Sequence, residues 1–158
     1  MLRQIFVNLP IKDMARSQAF FKALGLTFNP RFTNEQGACL EIAPNIHAML
    51  LVEPFFQGFT KLPIADAKKT TEVLIALSVD SRAEVDELVA KAVAAGATTP
   101  NAPMDHGFMV QHGFADLDGH QWEVFWMDEG AAPGRSQAGA HRSAEHEGVP
   151  SSAAPAQM

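Results

Sequence analysis

The chain has 158 residues and a mass of 17.1 kDa, which is the length of one ordinary domain, and its 47% hydrophobic content is enough for a proper core. A net charge of −6 excludes a basic nucleic-acid footprint and disfavours an anionic membrane surface. The single Cys39 excludes an intramolecular disulfide framework and fits a reducing compartment, so we predict a cytoplasmic location. Because there is neither a membrane-length apolar run nor a usable signal region, we expect no membrane insertion or export.

The first half of the chain has the pattern of a strand, a helix and three further strands. In RQIFVNL, Ile5, Val7 and Leu9 share one face of the first predicted strand because side chains alternate along a strand. Asp13 predicts the N-cap of a helix that stops at Gly25. The segments LTFNPRF, GACLEIA and HAMLLVE, each bounded by turn residues, predict three short strands.

The same order of patterns returns in the second half. EVLIALSV alternates as a strand, and Ser81 with Glu84 forms a predicted capping box for a helix that ends at Gly96. GFMVQHGFAD and HQWEVFWMD predict two strands joined by a tight turn over residues 116–119. The sequence therefore predicts two βαβββ modules.

Composition sets the predicted boundaries. Residues 1–128 form a single domain, with module one at 3–53, a Phe-rich linker at 54–71 and module two at 72–128. Residues 129–158, mainly Ala, Gly, Ser and Pro, are expected to be a flexible tail because they offer little apolar surface to bury. Phe55, Phe56 and Phe59 of the linker offer an apolar surface to a twofold mate, so we predict a homodimer.

The repeated order, with the segments KDMARSQAFFKALG, IALSVDSRAEVDEL and DLDGHQWEVFWMD, resembles the vicinal oxygen chelate superfamily. This superfamily includes glyoxalase I, fosfomycin and bleomycin resistance proteins and extradiol dioxygenases. The linker and the DHGFM segment look like a bacterial glyoxalase-like subgroup. The resemblance implies an α+β fold in which the two βαβββ modules form a cup-shaped, eight-stranded mixed sheet around a ligand. In metal-using members, residues of the first and last strands of each module hold a divalent cation in the cup.

The resemblance places those four metal positions on Phe6, Met49, Leu74 and Glu123. A divalent cation needs oxygen or imidazole ligands, and one carboxylate among apolar side chains would hold it poorly. We therefore expect no cofactor at the usual family site, and a divalent metal held elsewhere is the alternative. The match at Met49 is the least firm of the four, because a shift of two along the strand offers His47, Leu51 or Glu53 on the same face.

A displaced site is suggested by the predicted hairpin of module two. An even-length turn pairs Ala115 with His120 and puts His112 directly across from Glu123 on one face of the sheet. His112 and Glu123 are thus the candidate catalytic acid/base pair, and with His47 they are the candidate displaced metal ligands. The competing hypothesis, which we favour, is a structural hydrogen-bonded pair.

The candidate ligand-binding residues share the predicted cup face, where they would offer a mostly apolar lining: Gln4, Phe6, Asn8, Met49, Leu51, Leu74 and Phe125. Two functions stay open. The first is a protein that binds a small apolar or aromatic molecule without a metal. The second is an enzyme, a glyoxalase-like (lactoylglutathione lyase-like) lyase or an extradiol-type dioxygenase, which uses Glu123 with a displaced histidine. We interpret His120 as a structural turn residue, Trp122 and Trp126 as packed beneath the second helix, and Cys39 as a buried, inert thiol.

Overall fold

The computed structural model describes residues 1–131, and in this range it confirms the α+β class and the repeated βαβββ order. The tail prediction falls mainly on residues 132–158, which lie outside the described range. Module one contains β1 (Ile5–Ile11), α1 (Met14–Ala23), β2 (Thr27–Asn29), a 3-10 turn (Pro30–Phe32), β3 (Gly37–Ala43) and β4 (Ile46–Val52). Helix α2 (Glu53–Gln57) follows, and module two contains β5 (Leu74–Ser78), α3 (Arg82–Ala94), β6 (Met104–Asp105), β7 (Met109–Ala115) and β8 (Gln121–Met127).

The helix boundaries follow from local chemistry. The Asp13 side chain accepts a hydrogen bond from the Arg16 backbone N–H at 2.9 Å, so it caps α1 as predicted. Ser81 and Glu84 form the predicted capping box at the start of α3. None of the helices in the described part of the chain is long and apolar enough to cross a membrane.

The strands form two mixed four-stranded sheets, one in each module. The strand orders are β1-β4-β3-β2 and β5-β8-β7-β6, and the first strand of each module runs parallel to the last. The remaining neighbours are antiparallel. The eight strands predicted from the sequence are therefore divided between two sheets within the chain.

One hydrophobic core joins the two sheets. The Phe21 ring of α1 meets Trp122 of β8 edge to face at 5.4 Å, and the Phe20 ring lies 6.1 Å from Phe114 of β7. Leu50 of β4 belongs to the same buried cluster. We call the side of each sheet that contacts this cluster its core face, and the other side its open face. Each sheet therefore has one face on the shared core and one face that is not part of it.

The two tryptophans pack in or against the hydrophobic core. Trp122 is 1% exposed in the core, and Trp126 packs against that core. The guanidinium of Arg82, the first residue of α3, lies 5.6 Å from the Trp126 ring centre. Trp126 therefore lies beside α3, and Trp122 lies in the shared core, where its ring meets Phe21 of α1.

A set of hydrogen bonds connects the β7–β8 turn to module one. Asp118 accepts from the Lys12 backbone N–H at 3.0 Å and from the Ser17 hydroxyl at 3.3 Å. Nε2 of His120 lies 2.6 Å from the carbonyl oxygen of Pro10. His120 is therefore a structural residue of the contact between the modules, as interpreted from the sequence.

Candidate functional site

The open face of module one contains most of the predicted ligand-binding residues. The parallel register of β1 and β4 pairs Phe6 with His47 and Asn8 with Met49. Leu51 is the next residue on this face, opposite Pro10. Since Leu9 and Ile11 are buried in the core, alternation along β1 puts Phe6 and Asn8 on the side away from it. Phe6, Asn8, Met49 and Leu51 therefore share one face of the sheet, on which Leu51 is 4% exposed.

His47 is enclosed by its neighbours on this face and is 7% exposed. The Phe6 ring stacks on the imidazole with centroids 4.7 Å apart and planes 17° apart. Nε2 lies 3.4 Å from Nε2 of Gln4, and Nδ1 lies 3.9 Å from Sγ of Cys39. A metal ion would have to displace these contacts before it reached the ring, which weakens His47 as a displaced ligand.

Cys39 lies beside His47 and is 1% exposed. Burial raises the pKa of its thiol, and the nearby Glu41 carboxylate raises this pKa further. A raised pKa leaves the sulfur protonated at neutral pH and therefore a weak nucleophile. This agrees with the interpretation of Cys39 as an inert thiol.

The open face of module two is more accessible to solvent than the surroundings of His47 on module one. β5 and β8 pair Leu74 with Gln121, Ala76 with Glu123 and Ser78 with Phe125, so these residues share one face. Leu74 is 51% exposed, whereas Trp122 and Val124 on the opposite face of β8 are buried. Glu123 therefore stands on an accessible, partly apolar surface beside Phe125.

His112 is not on this surface, so the predicted His112–Glu123 pair is wrong. β7 and β8 pair Gly113 with Glu123, and His112 lies opposite Val124 on the other face of the sheet. The hairpin connection has an odd number of residues because Ala115 pairs with Gln121 instead of His120. A change of one residue in register moves every side chain of the strand to the other face.

The conformation of the turn between β7 and β8 causes this one-residue shift in register. Oδ1 of Asp116 accepts hydrogen bonds from the backbone N–H groups of Asp118 and His120, both at 3.0 Å. Gly119 has φ +90°, a left-handed conformation that glycine adopts without strain. A turn closed by a left-handed glycine adds one residue to a hairpin loop.

The pairing of the first and last strands also shows how the four metal positions implied by the resemblance correspond between the two modules. Asn8 and Ala76 each precede the N-cap of the following helix by five residues, and their partners on the last strands are Met49 and Glu123. Met49 is thus the structural equivalent of Glu123. Phe6 and Leu74 are equivalent in the same way, two residues earlier on each first strand.

This set of side chains does not fit a divalent cation. It contains one carboxylate, one thioether and two hydrocarbon side chains, whereas such a cation needs several oxygen or nitrogen ligands. Among residues 1–131 there is also no group of three or more His, Cys, Asp or Glu side chains placed to hold a metal. His112, His47 and Glu123 accordingly do not come together within the described chain.

Two features near the site were not predicted from the sequence. Gln111 lies opposite Phe125 on the open face of module two, and the predicted even turn placed it on the core side. A cavity of about 290 Å³ lies between the two modules under residues 60–73. Of the predicted ligand-binding residues, Asn8 is the one that lines this cavity.

Solved structures named as glyoxalase/bleomycin resistance proteins share this arrangement of two βαβββ modules, so the fold that the resemblance implies is confirmed. Residues 3–43 match a family model described as bleomycin resistance protein-like N-terminal. No curated protein matches the chain.

Solved structures extend the likeness over both modules. A hypothetical protein, SA1046 from S. aureus, is 27% identical with a TM-score of 0.68, covering 80% of this chain and 95% of that one. A glyoxalase/bleomycin resistance protein/dioxygenase family enzyme from Burkholderia phytofirmans PsJN is 19% identical with a TM-score of 0.64, covering 77% and 96%. A bleomycin resistance determinant encoded on the transposon Tn5 is 17% identical with a TM-score of 0.55, covering 80% and 99%.

Proposed function

We propose that this chain is a small-molecule-binding protein of the glyoxalase and bleomycin resistance fold, which takes a largely apolar or aromatic molecule on its open faces without a metal. One observation carries the proposal: Phe6, Met49 and Leu74 are apolar at three of the four equivalent positions, and Glu123 is the only oxygen donor. Apolar surface with a few polar groups is typical of a ligand site.

A second copy of the chain completes this site in our proposal. Phe6 and Leu74 on the open faces are 47% and 51% exposed, and the linker adds Phe59 at 71%. A patch of exposed apolar side chains marks an interaction surface, and in our proposal these residues contribute to one with the partner chain. A homodimer in which the open face of module one meets that of module two in the partner would form the predicted cup, with Glu123 at its wall.

The experiment that tests this proposal compares Leu74→Glu with Val93→Glu. Val93 on α3 is 47% exposed, similar to Leu74, but lies away from the open faces. Sedimentation equilibrium should show a dimer for the wild type and Val93→Glu and a monomer for Leu74→Glu. Binding of the neutral dye Nile red should fall about tenfold or more in Leu74→Glu alone. A wild-type monomer at high micromolar concentration would contradict the dimer, and equal dye binding by all three proteins would contradict the ligand site.

The alternative function is a metal-dependent lyase or dioxygenase that uses Glu123, and the carboxylate on an accessible face is the observation in its favour. Elemental analysis after dialysis against nickel, zinc, iron and manganese, followed by metal-free buffer, separates the two functions. Near-stoichiometric metal that is lost in Glu123→Gln would support the enzyme. Metal at background level in both proteins would support binding without a metal.

A further inference from the structure

The cavity between the modules is covered on one side by residues 60–73, which we call the roof, and is bounded on the other side by β1 and β8. Leu62, Pro63 and Ile64 of the roof segment, residues 60–73, lie over Pro10 of β1 and Gln121 of β8. Its volume of about 290 Å³ is at the lower end of the range of about 300 to 1,000 Å³ found for small-molecule sites. The cavity is therefore large enough for a molecule of one or two rings.

Specific contacts hold the roof in place. Nε2 of Gln121 donates to Oγ1 of Thr71 at 2.6 Å, which fixes one end of the roof to β8. Backbone N–H groups of Lys69 and Thr70 donate to the carbonyl oxygen of Asp66, both at 2.9 Å, and close a turn within the roof. A Cβ on Gly119 would lie 2.8 Å from the Lys68 backbone nitrogen, so the roof rests directly on the β7–β8 turn.

The apolar side chains of the roof do not serve the hydrophobic core. Within the described chain, neither the buried cluster nor the hydrophobic residues packed against it include Leu62, Pro63 or Ile64. Folding gains most from apolar side chains that enter the core, yet these three line a cavity instead. Leu62 is 73% exposed and Ile64 is half-buried, so the roof offers apolar surface that an apolar molecule in the cavity would cover in part.

Charge and hydrogen bonding narrow the class of ligand. Among the described residues, those that line the cavity include no Lys or Arg, and Glu72 adds a carboxylate. Several other polar groups of the lining are already paired: Thr70 with Asp66, Thr71 with Gln121 and His120 with Pro10. The exposed Asn8 amide and the Glu72 carboxylate remain for a ligand, and a carboxylate accepts a hydrogen bond from an O–H or N–H donor.

We propose that this cavity, which lies under the roof where the open faces of the two modules end, is a second small-molecule site for a neutral aromatic molecule of one or two rings that carries a hydroxyl or amine donor. The lining disfavours an anion of the same size, because the Glu72 carboxylate repels it and no lysine or arginine of the lining neutralises it. All of the lining residues belong to one chain, so the cavity does not depend on the dimer of the proposed function.

The test uses amide chemical shifts of the ¹⁵N-labelled protein during titration with 2-naphthol, and 2-naphthoate is the charged control of similar size. We expect saturable shifts for residues 60–73 and 119–121 with 2-naphthol and none with 2-naphthoate. Ile64→Trp fills the cavity and should weaken binding at least tenfold, whereas Lys61→Trp, at an exposed position outside the lining, should bind like the wild type. If Ile64→Trp fails to fold, Ala65→Phe narrows the same cavity.

Three results would overturn this second site. They are shifts confined to Glu123, Phe125 and their neighbours on the open face, equal binding of the two probes, and unchanged binding by the filled variant. Shifts confined to the open face around Glu123 and Phe125 would contradict the cavity site and still support the proposed function. Loss of Nile red binding in Leu74→Glu with unchanged 2-naphthol shifts at the roof would support both sites independently.

Discussion

Nε2 of His120 lies 2.6 Å from the carbonyl oxygen of Pro10, so a ring nitrogen of module two donates a hydrogen bond to the backbone of module one. His120 is 9% exposed, and its backbone N–H donates to Asp116. An apolar ring in its place would leave the Pro10 carbonyl without this donor in a partly buried position. The bond therefore contributes to the fixed arrangement of the two modules.

We expect His120→Phe to lower the free energy of unfolding by about 1–3 kcal/mol, because a buried acceptor loses its partner. His106→Phe is the matched control, since His106 is exposed in the loop between β6 and β7 and should change stability by less than about 0.5 kcal/mol. Urea unfolding followed by circular dichroism measures both. Equal stability of the two variants would contradict a role for His120 in joining the modules.

The buried carboxyl group of Asp116 should make the stability of the fold depend on pH. Burial raises the pKa of its carboxyl group, and this effect is partly opposed by His120 and by hydrogen bonds from Trp122 and Asp118. A raised pKa in the native state means that this group stabilises the fold below its ordinary pKa of 3.8. That contribution is lost as the pH rises through the raised pKa.

The measurement compares the wild type with Asp116→Asn, whose side chain does not titrate. The difference in free energy of unfolding, wild type minus variant, should fall as the pH is raised from about 4 and level off once Asp116 is ionised in both states. Titrating groups that do not interact with Asp116 cancel from the difference. A difference that rises over this range would mean that the native pKa is lowered.

Gly119 has both a left-handed backbone and a close neighbour, whereas Gly107 has only the left-handed backbone. Its φ is +90°, and an added Cβ would lie 2.8 Å from the Lys68 nitrogen. Gly107 has φ +81° with no atom within 4 Å of an added Cβ. Gly107→Ala should therefore cost about 1 kcal/mol from backbone strain, and Gly119→Ala should cost more, about 3 kcal/mol or above. Thermal unfolding of both variants checks the order, and equal losses would show that the roof moves aside freely.

The elements that the sequence predicts well are those with a local cause. Asp13 and Ser81 cap helices through atoms three residues away, and the alternation around Val7 or Val124 needs only one strand and one core. All of the residues that determine a cap or an alternating strand lie within a few positions of each other in the sequence. The order of the elements and the resemblance to the superfamily both depend on them.

The features that the sequence does not predict depend on distant contacts. Strand β6 has two residues, Met104–Asp105, which is too short for alternation, and it forms by pairing with β7. The position of His112 depends on one extra residue in the turn, which comes from the side chain of Asp116 and the conformation of Gly119. The cavity between the modules depends on how the modules pack, and no segment of either module encodes it alone.

The packing between modules gives the last prediction. The Phe21 ring of α1 is 2% exposed and meets Trp122 edge to face at 5.4 Å, so a helix of module one packs in the same core as the sheet of module two. Phe21→Ala leaves a cavity there and should lower the free energy of unfolding by about 3–5 kcal/mol. Phe59→Ala removes a ring that is 71% exposed and should cost less than about 0.5 kcal/mol in the monomer.

Chemical unfolding at low protein concentration measures this difference without a contribution from self-association. A single transition that shifts to lower denaturant in Phe21→Ala would show that the modules unfold together. Two separate transitions, with one unchanged by the substitution, would contradict the shared core. The same two variants at high concentration test the interface, because Phe59→Ala should then weaken the proposed dimer while the isolated chain keeps its stability.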